Sequence, residues 1–185
     1  MISAHPLPSS PDQAVASALR TLGTERDGLT ALMDALDNGL GAVFTAAVET
    51  IASSRGRGIV TGIGKSGHIA RKIVATLAST GTPAHYVHPA EASHGDLGMV
   101  QPEDVIIALS WSGETAELAD IIGYAKRFRV PLIALTSNAA STLGHAANLC
   151  LTLPKAQEAC PNGLAPTTST TMQLALGDAL AVARL

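Results

Sequence analysis

Short apolar runs alternate with stretches of helical periodicity over most of the chain, and this alternation restricts the fold more than any other feature. The runs 58–63, 84–87, 105–109, 131–136 and 148–153 have the length and β-branched content of buried strands. Helical spacing marks 66–79, 114–128, 141–146 and 170–185 between and after them. Ahead of the first strand, 12–54 reads as one or two helices, with Leu29, Leu32, Met33, Leu36 and Leu40 at helical spacing and Asn38-Gly39 and Gly41 as the break. Strands joined through helices run parallel, with right-handed crossovers and both faces covered. The expected fold is therefore α/β, a three-layer α-β-α sandwich around a five-stranded parallel sheet. Residues 1–11 read as a flexible tail and 12–185 as a single domain.

Composition narrows the class of function. Hydrophobic residues make up 46% of the 185 and charged ones 15%, too apolar for a disordered chain. A net charge of -3 without a long basic run argues against a cationic nucleic-acid face. No apolar run approaches the roughly 20 residues needed to span a bilayer, and the N-terminus lacks a signal-peptide pattern. Cys150 and Cys160 form no CxxC pair and read as reduced thiols. A soluble cytoplasmic protein is expected. Few charges alongside many Ala and Leu also suggest that a second subunit covers some apolar surface, hence a homo-oligomer.

In parallel sheets ligands bind at the carboxyl ends of the strands. Ser110-Trp111-Ser112-Gly113-Glu114-Thr115 stands there, after the third strand and before a helical run. Three hydroxyls beside the free N–H groups and positive dipole of a helix start suit an anion, read here as the phosphate of a small molecule. Gly62-Ile63-Gly64-Lys65-Ser66-Gly67 follows the first strand. It is not a Walker A loop, because Ile59 occupies the position of the first glycine. It matches the dinucleotide fingerprint in spacing, but no acidic residue occurs near the second strand's end until Glu91. Lys65 instead places a cation in the turn, suited to a phosphomonoester.

Acid–base candidates lie beside these turns. Glu114 reads as a carboxylate complementing the dipole of its own helix. Glu117 stands one turn further on. His85, His88, Glu91 and His94 resemble a metal cluster, yet strand side chains three apart point to opposite faces. His94, beside Gly95, has the character of a loop acid or base and could at most be an adventitious metal ligand. Glu158 lies in a long loop at the ligand edge, and Thr167–Thr171 opens the last helix.

The Gly62–Gly67 turn, the Ser110–Thr115 turn and the Thr168–Thr171 helix start resemble those of the sugar isomerase (SIS) domain, and the chain resembles the D-arabinose 5-phosphate isomerase family more closely. The matching segments are Gly62–His68, His88–Met99 and Glu158–Thr171, within a likeness covering about 58–185. The resemblance implies interconversion of D-ribulose 5-phosphate and D-arabinose 5-phosphate through an enediolate, without a cofactor or required metal. The product feeds the eight-carbon acid sugar of the Gram-negative outer envelope. It also implies Lys65, Glu117 and Glu158 as catalytic residues with His94 nearby, either glutamate being the base and Lys65 stabilising negative charge. Gly64, Ser66, Ser110, Ser112, Thr115 and Ser169 would hold the phosphate, and a tetramer is implied. Trp111 departs from the Asn common in the family. The family pattern continues into a His-Pro-Gly-Gly segment and often into paired CBS domains, whereas the sequence stops at Leu185. This sets a second expectation, a phosphosugar-binding module or fragment without efficient turnover.

Overall fold

The computed structural model describes residues 11–185. The expected tail lies outside them except for Pro11, which opens α1 (Pro11–Ala35). Asn38 and Gly39 depart from helical geometry and separate α1 from α2 (Gly41–Ser53), at the break expected from Asn38-Gly39.

Five strands, β1 (Gly58–Gly62), β2 (Ala84–Val87), β3 (Val105–Leu109), β4 (Leu132–Thr136) and β5 (Leu149–Thr152), form one parallel sheet in the order β2-β1-β3-β4-β5. Every residue of β1, β3 and β4 is buried, as central strands require, whereas the edge strands β2 and β5 are only partly covered. Alternate residues serve opposite faces. Val60, Ile107, Ile133 and Leu135 pack under α1, α2, α3 (Gly64–Ser79) and α7 (Thr168–Val182). Ile59, Ile106, Ala108 and Ala134 pack under α4 (Pro89–Ala92), α5 (Ala119–Phe128) and α6 (Thr142–Ala146). Each fully buried Leu or Ile contributes about 1.5–3 kcal/mol of transfer free energy, so these two layers hold the sandwich together. No helix among the described residues is long and apolar enough to cross a membrane.

Helix boundaries differ from the sequence expectations where side chains compete for the backbone. The helix expected from Glu114 begins only at Ala119, after a tight turn at Ala116–Leu118. Ser112 Oγ accepts from the Glu114 N–H at 3.2 Å, and Ser110 Oγ and Thr115 Oγ1 share a 2.7 Å hydrogen bond, so the segment closes as a turn. Gly113 makes that turn possible: its φ is +73°, and an added Cβ would lie 1.9 Å from Ser141 Oγ. Both α3 and α7 start two residues earlier than expected, at Gly64 and Thr168, and α7 ends at Val182 instead of Leu185.

One helix contact fixes the positions of both α3 and α7. Ser66 meets Gln173, Ile73 meets Gly177, and Lys72 and Thr76 meet Asp178, so the helices run alongside each other in the same direction. A Cβ on Gly177 would come within 2.2 Å of Ile73 Cδ1. Alanine usually stabilises a helix over glycine by about 1 kcal/mol, but overpacking costs about 1–3 kcal/mol. Gly177→Ala should therefore lower the urea midpoint. Gly123→Ala, on exposed α5 backbone where nothing lies within 4 Å, should raise it. A rise in both would mean that α3 and α7 do not pack this closely.

Candidate functional site

The strand order changes direction between β1 and β3, and at such a switch point the loops leaving the carboxyl ends part and leave a crevice. A cavity of about 420 Å³ lies there, within the range of small-molecule sites. Its wall consists of Ile63, Lys65 and Ser66 after β1, Trp111 after β3, and Glu158, Gly163, Leu164, Pro166, Ser169 and Thr170 around the start of α7. Because α3 and α7 are aligned, both of their N-termini reach this wall, and two positive dipole ends face one space.

Glu158 is held by the second of those ends. Its Oε2 accepts from the Thr167 N–H at 2.7 Å, the Thr167 hydroxyl at 2.9 Å and the Ser169 N–H at 3.4 Å. Burial alone would raise the pKa of this carboxyl, but the hydrogen bonds from Ser169 and Thr167 outweigh it and the result lies below the ordinary carboxylate value. At neutral pH the group is ionised, with its charge fixed at the cavity wall.

Trp111 is anchored through its backbone. Its carbonyl accepts from the Ser137 N–H and hydroxyl, each at 2.9 Å, and from the Thr136 hydroxyl at 3.2 Å. Trp111 thereby lines the cavity on the β3 side.

The structure thus brings together Lys65, Ser66, Glu158 and Ser169 among the residues singled out from sequence. Gly64 opens α3 directly beside Lys65. Ser110 is buried, and its hydroxyl is engaged by Thr115 and the Gly113 N–H, so both hydroxyls support the turn. Ser112 caps that same turn and is exposed. Glu117 and His94 are exposed and do not line the cavity. Glu114 does complement a helix dipole, but not that of its own helix. It reaches the start of α6, accepting from the Thr142 N–H at 2.9 Å and the Thr142 hydroxyl at 2.6 Å, which depresses its pKa. Among the described residues no group of three or more His, Cys, Asp or Glu could hold a metal ion. Sequence reasoning missed Gln173, wholly buried and hydrogen-bonded to Ser66. Its signal was a polar side chain in the apolar stripe that Met172, Leu176 and Leu180 define.

A family model described as SIS domain matches residues 50–183. The arabinose 5-phosphate isomerase KdsD of Pseudomonas aeruginosa is 52% identical over 169 residues, 91% of this chain and 51% of that protein. The chain thus spans about half the length of the curated relatives it matches. Among solved structures, an Escherichia coli CFT073 protein in complex with arabinose 5-phosphate superposes with a TM-score of 0.87 and 39% identity, over 95% of this chain and 91% of that one. A Listeria monocytogenes protein superposes with a TM-score of 0.90 at 28% identity, over 96% of this chain and 91% of that one.

The held carboxylate has a consequence for acid stability. A depressed folded-state pKa gives stability that is complete above the ordinary value of 4.5 and is lost as pH falls through the lowered folded value. Glu158→Gln should therefore be less stable than the unaltered protein near pH 7, and the difference should shrink below about pH 4.5. Urea unfolding across pH checks this; a difference that does not vary with pH would mean that Glu158 is not held as an anion.

Proposed function

This chain belongs to the SIS domain family, and we propose that it is an aldose–ketose isomerase interconverting D-ribulose 5-phosphate and D-arabinose 5-phosphate. The observation that carries this reading is the convergence of a lysine, an ionised glutamate and two serines on one cavity between two helix N-termini. A purely phosphate-binding site would need the hydroxyls and dipoles but no fixed carboxylate. The relatives named arabinose 5-phosphate isomerase, and the solved neighbour that holds that sugar phosphate, support the same choice of substrate.

The phosphate sits at the α3 end, where Ser66 and the first-turn N–H groups face it, while Ser169 donates to Glu158. Glu158 takes a proton from C1 of the ketose, and the electron pair moves toward C2, placing negative charge on O2. The Lys65 cation offsets that charge. The proton returns at C2 while one proton shifts from O1 to O2, giving the aldose. Only protons move, so no cofactor is required. Glu158 is the base in this scheme because it stands in the wall, whereas Glu117 is exposed outside it. A place in the cytoplasm, supplying the eight-carbon acid sugar of the outer envelope, belongs to the same proposal.

We propose a homo-oligomer as well, a tetramer by family resemblance. Val15, Leu19 and Leu22 form one stripe of α1 and are 60%, 65% and 62% exposed, a surface suited to a second copy. Light scattering at micromolar concentration should give a multiple of the 18.8 kDa chain mass, and Leu19→Asp should lower it. A clean monomer contradicts this part of the proposal.

Incubation with ribulose 5-phosphate in heavy water tests the activity. Deuterium should enter the sugar, and Lys65→Ala or Glu158→Gln should slow exchange on the order of 10²- to 10⁴-fold. Binding without exchange in the unaltered protein would leave a phosphosugar-binding module instead.

A further inference from the structure

One group beside the cavity has no part in the proton transfers. Gln173 stands in the second turn of α7 and is wholly buried. Its Oε1 accepts the hydrogen bond from Ser66 Oγ at 3.0 Å, while its Nε2 has no hydrogen-bond partner among the described residues. The other buried side-chain polar atom lacking a partner is Thr168 Oγ1, at the start of the same helix. Unsatisfied polar groups in the described core thus gather on α7 beside the cavity.

The direction of the Ser66 hydrogen bond matters for an anion. A serine hydroxyl carries one proton and two lone pairs. While its proton is given to Gln173, Ser66 offers the cavity only lone pairs, which repel a phosphate oxygen. The carboxamide can reverse this. Turned over by about 180°, it exchanges O for N with almost no change of shape. Nε2 then donates to Ser66 Oγ, and the serine proton is free to point at the phosphate. The same rotation gives a buried N–H its missing partner and leaves a carbonyl less satisfied, the better tolerated of the two defects.

We infer that Gln173 is a positioning residue for phosphate binding, a buried amide whose orientation decides whether the Ser66 hydroxyl donates into the cavity. This rests on the sugar-phosphate reading of the cavity and adds a residue to it. Gln173 touches no substrate atom; it acts through Ser66. A side chain that merely filled the space between α3 and α7 would stabilise the fold and leave phosphate affinity alone.

Calorimetric titration with inorganic phosphate and steady-state turnover of ribulose 5-phosphate, on the full chain, separate the two roles. In Gln173→Met, which keeps the volume and removes both polar atoms, Ser66 keeps its proton but loses the donor that would hold it toward the cavity, so the phosphate Kd and the KM should rise severalfold, with a smaller change in kcat. Gln173→Glu, which can only accept from Ser66 and adds negative charge, should bind phosphate more weakly still. Ser66→Ala, which removes the hydrogen bond itself, should lose about tenfold, and the double variant Ser66→Ala with Gln173→Met should lose no more than Ser66→Ala alone. In the unaltered protein, the Gln173 side-chain amide resonances should shift on addition of phosphate, a readout that does not depend on any variant folding. Wild-type-like phosphate binding in Gln173→Met, losses that add in the double variant, or amide resonances that ignore phosphate would each overturn the inference. If the unaltered chain binds phosphate with these contrasts yet fails to isomerise the sugar, the isomerase proposal fails and the positioning role stands.

Discussion

The parallel contact between α3 and α7 is the constraint on which the site depends. Two helices that follow different strands usually point their N-termini at different parts of a sheet edge. Here Ile73 packs where Gly177 lacks a side chain, and Lys72 pairs with Asp178 at 2.6 Å. The exposed ion pair adds little stability. The close approach matters more, because it sets how far apart Ser66 and Ser169 stand and keeps both dipole ends on one cavity. A sequence with only 3% aromatic residues suits this arrangement, since small and branched side chains let helices come close.

In the proposed reaction the cavity has to manage two anions. Glu158 already takes the donors at the start of α7, so a phosphate arriving at the same donors would compete with it. The start of α3, with Lys65 and Ser66, is the complementary place for the phosphate. In the proposed reaction such a division would keep the carboxylate ionised and fixed while the substrate's charged end is neutralised elsewhere. It would also separate the two ends of the sugar across the cavity, as the proposed proton transfer at C1 and C2 requires. Trp111, its carbonyl held by three donors from Thr136 and Ser137, adds to the wall without consuming any of those charges.

The sheet was legible in the sequence because its central strands, buried on both faces, are short continuous apolar runs, and helical periodicity separates one strand from the next. The strand expected at 105–109 is β3 to the residue, and that at 84–87 is β2. Helix starts were less legible, since Ser110, Ser112 and Thr115 can cradle an anion or close a turn, and spacing alone does not distinguish the two. Glu114 found a partner 28 positions away at Thr142, a choice made by the fold and invisible locally. Lys65, Ser66, Glu158 and Ser169 were recoverable because motif resemblance carried them, and the structure gathers them. Gln173 carried no motif, only a polar interruption of an apolar stripe.

The most direct measurement is a crystal structure of the chain with a pentose 5-phosphate bound. The account predicts the phosphate within hydrogen-bond distance of Ser66 Oγ and beside Lys65, with C1 and C2 of the sugar facing the Glu158 carboxylate. A phosphate seated away from the starts of α3 and α7, or a carbonyl end turned from Glu158, would contradict it.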